Sequence, residues 1–180
     1  EIVTNYDIDG LLFDDYFYPN GIPTNNTAPD YAEWQAAKSG MNFGDWRRDN
    51  VNRMVKAVYA MIQATKPYVR FGIGPAGAAA SSATVAAKYG VTPCPSSDWQ
   101  YSGIFSDPLA WLSSHDLDYI SPQIYWTFGH STNDYGKLCT WWSKVANKFS
   151  RHLYVSHSIS SLTASSTGTA LAGSETADAP

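Results

Sequence analysis

Four short apolar runs alternate with three helix-patterned stretches, and that alternation leaves few folds open. The runs are DGLLF (residues 9–13), YVRFGIGP (68–75), LDYISPQIYW (117–126) and HLYVSHS (152–158). After the first run, residues 45–67 place Val51, Met54, Val55, Val58, Tyr59 and Ile62 on one face of a 3.6-residue repeat. Asp45 is the expected N-cap of that helix and Pro67 its stop. DPLAWLSSHD reads as a short helix with Asp107 at the cap and Pro108 in the first turn. NDYGKLCTWWSKVANKF reads as a third, with Leu138, Trp141, Trp142, Val145 and Phe149 on its apolar face. Strands that recur after helical crossovers pair in parallel. The expected fold class is therefore α/β, and the first strand, all apolar after its Gly, is expected to be fully buried.

Two long stretches interrupt the pattern, residues 14–44 and roughly 76–107. Loops of that length carry function or short helices of their own, and DYAEWQAAKSG is expected to be one such helix. FGIGPAG lacks the GxGxxG spacing and has no helix directly after it, so it does not read as a phosphate loop. The final stretch, SSLTASSTGTALAGSETADAP, is low in complexity. We expect a domain over residues 1–160 and a tail or linker over 161–180.

Composition narrows the partners. The 180 residues carry a net charge of −4 with only 12 Lys and Arg and no basic run, which argues against nucleic acid. No stretch approaches the ~18 consecutive apolar residues of a membrane span. Aromatic residues reach 14%, with 7 Trp and 12 Tyr, in a mildly acidic chain. Rings in that number suit the flat apolar faces of sugars, or a Trp-rich core. The two Cys, Cys94 and Cys139, form no CxxC, so a zinc-type site is not indicated; their pairing is left open. No metal and no cofactor are expected. The chain opens on EIVTNYDIDG with no leader, and reads as the middle of a longer protein.

Each apolar run ends in polar or aromatic residues: Asp14 and Asp15, Gly74 and Pro75, Gln123 and Tyr125, Ser156 and His157. Parallel sheets bind ligands at the carboxyl ends of their strands, in barrels and in open sheets alike. Strand alternation puts Leu12 and Asp14 on one side. It also puts Gln123 and Tyr125 on one face.

YDIDGLLFDDYFYP, FGDWRRDNVNRMVKAVYAMIQATKPYVRFGIGP, LDYISPQIYW and HLYVSHS, in that order, resemble the glycosyl-hydrolase-like 10 family of bacterial proteins over roughly residues 3–159. The resemblance implies a TIM-type (β/α)8 barrel, of which this chain would hold about strands four to seven. It also implies cleavage of glycosidic bonds, with peptidoglycan glycan strands as the favoured substrate. The location it implies is periplasmic, outer-membrane-associated or secreted, with export or a lipid anchor provided by a portion ahead of Glu1. The opening motif is also similar to the strand-four signature of family 18 chitinases, but the catalytic Glu of that signature falls on Tyr16, so substrate-assisted chemistry is not supported.

Glycoside hydrolysis needs a proton donor and a second carboxylate, spaced ~5–5.5 Å for retention or ~6.5–9.5 Å for inversion. Asp14 is the first candidate, with Asp15 beside it and Tyr16 and Tyr18 as a flanking sugar wall. For the second acid, Asp98 in SSDWQY and Glu33 lie in the long loops, and the partner may equally belong to a preceding portion; Asp98 is the one retained. Gln123, Tyr125, Trp126 and His157 are candidate substrate contacts, against core packing as the alternative, and His130 a candidate rim residue. Arg47 and Arg48 are expected to face outward or to pair with Asp49, in a structural role. The competing function is a non-catalytic glycan-binding module on a degenerate barrel. A deacetylase would call for a His and Asp metal set, which the sequence does not present.

Overall fold

A computed structural model of the protein describes residues 1–14 and 16–158. The chain forms helix α1 (Ile2–Asn5), strand β1 (Gly10–Phe13), helices α2 (Tyr31–Ala37) and α3 (Phe43–Thr65), and strand β2 (Arg70–Ile73). Helices α4 (Ala83–Lys88), α5 (Trp99–Gly103) and α6 (Pro108–Ser114) follow, then strand β3 (Tyr119–Ile120), helix α7 (Tyr135–Lys148) and strand β4 (His152–Leu153). The strands pair in parallel in sequence order, β1-β2-β3-β4. The fold is thus mixed α/β on a parallel four-stranded sheet, as the alternation requires and as part of an α/β barrel would show. Helices α1, α4 and α5 were not legible in the sequence, whereas α2 lies within DYAEWQAAKSG as expected.

The register separates two faces of the sheet. Phe13, Ile73, Ile120 and Leu153 share one face, and Phe71 and Leu11 lie level on the same side. They meet Val51, Val55 and Ile62 of α3, Leu109 and Leu112 of α6, and Leu138, Trp142 and Val145 of α7 in a single buried core. Leu12, Gly72, Tyr119 and Tyr154 fall on the other face. Leu12 is 53% exposed and Tyr154 60% exposed there, so β1 is not the fully buried strand its composition predicts. The cause is that β1 is the edge strand of the described sheet, and Leu12 lies on the face opposite the one that packs on the helices.

The ladders are shorter than the apolar runs. Pro122 has no N–H to donate, and after it β3 continues only as isolated bridges from Gln123 to Ala76 and to Ser156. Helix α3 begins three residues earlier than a cap at Asp45 would place it: Asn42, not Asp45, is the N-cap, its side chain accepting from the Asp45 N–H at 2.9 Å. Pro67 lies just past the end of α3, and Asp107 caps α6, both as expected.

The outward reading of Arg47 is overturned. Arg47 is fully buried, and its guanidinium grips Asp30 through Nε–Oδ2 at 2.9 Å and an NH2–Oδ1 contact at 2.6 Å. It lies over the rings of Phe43, Phe105 and Tyr18 at 4.0, 4.7 and 5.3 Å. Arg48 bonds Asp45 at 2.7 Å and the Tyr101 carbonyl at 2.8 Å, while Asp49 pairs with Arg53 one turn on. The helix start therefore clamps the loop that follows β1 rather than facing solvent.

Candidate active site

The carboxyl ends of β1, β2 and β3 are tied together by one side chain. Gln123 Nε2 donates to Asp14 Oδ1 at 2.7 Å and to the Gly74 carbonyl at 2.8 Å. Gly74 N–H in turn bonds the Phe13 carbonyl at 2.8 Å, so the chain just before Asp14 is anchored as well. The Gln123 backbone is fixed between two neighbours, donating to the Pro75 carbonyl at 2.8 Å and bridging to Ser156.

A pocket of about 290 Å³ opens at this edge, lined by Leu12, Phe13, Asp14, Gly74, Gln123, Tyr125 and Ser156. Its lining includes the Ser156 hydroxyl, which is bonded to the Ser121 hydroxyl behind it at 2.8 Å. Its rim is aromatic, since Tyr125 remains 49% exposed. Asp14 is the carboxylate that lines it among the described residues. An exposed acid beside an aromatic ring, hydroxyls and a fixed amide can bind a polyol and exchange a proton with it.

The glycines around this edge have steric reasons. A Cβ on Gly77 would sit 2.5 Å from the Gln123 carbonyl oxygen and 2.9 Å from Ile124 Cα. A Cβ on Gly72 would strike the Tyr119 ring at 2.2 Å. FGIGPAG is thus built for close strand packing, consistent with its failure to match a phosphate loop.

A model of the glycosyl hydrolase-like 10 family matches residues 1–169. The chain belongs to this family. It is 42% identical over 161 residues to the glycosyl hydrolase YngK of Bacillus subtilis strain 168, which covers 86% of this chain and 30% of that protein. It is 33% identical over 159 residues to the glycosyl hydrolase DigH of Escherichia coli K12, covering 86% and 34%. The chain thus spans about a third of the length of these curated relatives. The family match runs past Ile159 into the stretch read as a tail, which lies outside the described residues.

In this family member the sequence candidates divide into two groups. Asp14, Gln123 and Tyr125 share the pocket; Asp15 lies outside the described residues. Tyr16 is 59% exposed and edge-on to Trp99 at 5.8 Å, which places it where the loop after β1 meets α5. Tyr18 turns away into the Arg47 cluster, edge-on to Phe105 at 5.7 Å, and burial pushes its phenol up from the ordinary value. Asp98 precedes α5, and its Oδ1 accepts from Ser81 N–H at 2.9 Å and Ser81 Oγ at 3.3 Å. Trp126 packs against the core and lies 6.2 Å from the His130 ring, whose Nδ1 accepts from Asn133 N–H at 3.0 Å. His157 Nε2 bonds the Tyr135 hydroxyl at 2.8 Å.

The sequence places Gly74 and Ser156 at strand ends without marking them as site residues; the structure uses Gly74 as an acceptor and Ser156 as a wall. Parity was the available signal for Ser156. Gln123 and Ser156 are bridge partners, so Ser156 and not His157 shares the face of Gln123.

The described residues hold no helix long and apolar enough to cross a membrane and no cluster of three or more metal-ligating side chains. Cys94 carries a free thiol, buried, with its pKa pushed up to about 11 by desolvation.

Proposed function

We propose that this chain contributes a catalytic carboxylate, Asp14, to a glycoside hydrolase that cleaves bacterial envelope glycans, with peptidoglycan glycan strands as the favoured substrate. One observation carries the reading: a carboxylate at the carboxyl end of a parallel strand lines a pocket with an exposed Tyr and a fixed amide. Membership of the family and the names of its bacterial relatives support the reaction class. The sheet is proposed as strands four to seven of a (β/α)8 barrel, because the face of Leu12, Tyr119 and Tyr154 lies opposite the face that packs on α3, α6 and α7, as an inward barrel face does. Tyr125 and Tyr16 then form the sugar-facing rim. Asp98 is proposed as the second acid, on a segment tied to the loop after β1 by the Trp99 Nε1–Asn20 Oδ1 bond of 3.0 Å. No cofactor is called for, and the envelope or the medium is the proposed location.

A second reading rests on the same pocket. Asp14 is the carboxylate of the described lining, and a pocket that offers a single acid can bind a glycan without cleaving it. That describes a non-catalytic glycan-binding module. Mass spectrometry of products from purified peptidoglycan glycan strands decides between them, using the longest chain that carries these residues and its Asp14→Asn variant. Cleavage that collapses in the variant supports the hydrolase. Binding without cleavage in the parent replaces it with the binding module.

A further inference from the structure

We infer that Gln123 is a positioning residue that holds Asp14, and not a donor to the glycan; this rests on the hydrolase reading of Asp14. The primary amide has two N–H groups. One goes to Asp14 Oδ1 at 2.7 Å and the other to the Gly74 carbonyl at 2.8 Å. Both partners are acceptors, so the amide has one chemically sensible orientation. No hydrogen of Gln123 remains for a sugar hydroxyl. Its Oε1 accepts from no group among the described residues, so whatever Gln123 meets in the pocket must itself be a donor.

The support behind the amide is rigid. Gln123 is bridged on one side to Ala76 and on the other to Ser156, and its carbonyl lies where any Cβ on Gly77 would strike it. Asp14, by contrast, follows the last residue of an edge strand and is solvent-exposed. The exposed partner carries the reactive group and the fixed partner orients it, which is the usual division between a functional side chain and its support.

The test uses Gln123→Glu and Gln123→Met in the longest chain that carries these residues. We expect kcat on glycan strands to fall about 10- to 100-fold, the scale for loss of an orienting partner. In Gln123→Glu, which keeps an oxygen able to accept from a sugar hydroxyl, we expect KM to change by less than about twofold. Unchanged kcat with a raised KM overturns the inference and makes Gln123 a substrate contact. A second readout needs no turnover: the Gln123 side-chain amide protons, followed by NMR after Gln-selective 15N labelling. Both are expected to exchange slowly, and Asp14→Ala is expected to release one. Amide protons indifferent to Asp14→Ala overturn the inference. Should the parent cleave nothing, the hydrolase reading falls, and the amide readout alone upholds or overturns the Gln123–Asp14 pairing.

Discussion

Gln123 Nε2 and Asp14 Oδ1 lie 2.7 Å apart, joining residues separated by 109 positions in the chain. The bond spans β2, whose Gly74 carbonyl takes the second hydrogen of the same amide. Three strand ends therefore meet at one side chain, and the candidate acid sits at that meeting point. The arrangement explains why FDDYFYP and SPQIYW belong together: one provides the acid and the other fixes it.

The acid itself gives the most direct prediction. Asp14→Asn keeps an oxygen to accept from Gln123, so the strand ends should stay joined. It removes the carboxylate, and loss of a positioned acid or base lowers rates by ~10²–10⁴. We expect glycan-strand product to fall by about that factor, with binding in a sedimentation assay retained. An unchanged product yield removes Asp14 from the chemistry. Asp98→Asn run in parallel tests the second acid, because Asn can still accept from Ser81 and the loop should hold.

Arg47 predicts a large stability effect away from the pocket. Its charge is fully buried against Asp30 and three rings, and breaking such a pair costs about 3–5 kcal/mol. Arg47→Met should lower unfolding stability by about that much in urea titrations. The deficit should depend on pH. The Arg47 hydrogen bonds hold the Asp30 carboxyl below its ordinary value of 3.8. A depressed carboxyl stabilises the fold above its unfolded pKa, and that contribution is lost as pH falls through the folded value. The gap between parent and variant should therefore narrow below about pH 4. A gap that is flat across that range rules out the ion pair as its source.

The sheet was legible because its signal is periodic. Apolar runs and 3.6-residue stripes survive in any α/β chain, so strand order and the major helices followed directly. Asp14, Gln123 and Tyr125 came from strand ends and parity, and the three line one pocket. What escaped depends on contacts between distant segments. Arg47 pairs with Asp30 17 residues away, and nothing local marks an Arg in a charged helix start as buried. Helices α4 and α5 are 6 and 5 residues long, too short to show a period. The exposure of Leu12 depends on what covers the second sheet face, which its own composition cannot report.

Asp107 predicts a pH effect of opposite sign to Asp30. It is buried at the start of α6, accepting from Tyr89 Oη at 2.6 Å, and desolvation pushes its carboxyl above the ordinary value of 3.8. A raised carboxyl favours the fold below its unfolded pKa, and that advantage is lost as pH rises through the folded value. Asn caps a helix as well as Asp; with its oxygen accepting from Ala110 N–H, its amide nitrogen faces Tyr89 Oη and donates to it, the hydroxyl turning to accept. Asp107→Asn should therefore stabilise the protein at pH 7, with the gain vanishing below about pH 4. Thermal unfolding at the two pH values checks the sign. A variant less stable at pH 7 than at pH 4, each relative to the parent, contradicts the burial argument.

Gly77 links packing to the site. Its carbonyl accepts from Trp142 Nε1 at 2.8 Å, which fixes the chain from below, and the Gln123 carbonyl closes it from above. A Cβ at 2.5 Å from a backbone oxygen cannot be relieved by turning a side chain. Gly77→Ala must therefore push the Gln123–Trp126 segment away, and overpacking of this kind costs about 1–3 kcal/mol. Because Gln123 holds Asp14, the same displacement should reach the pocket. We expect Gly77→Ala to lower stability by about that amount and to reduce kcat in the folded fraction as well. A position with room makes the control: at Gly21, where φ is +77°, a Cβ would meet nothing within 4 Å. Gly21→Ala should cost stability through backbone strain alone and leave kcat as in the parent. If both variants lose stability and neither loses kcat, the path from Gly77 through Gln123 to Asp14 carries no catalytic consequence.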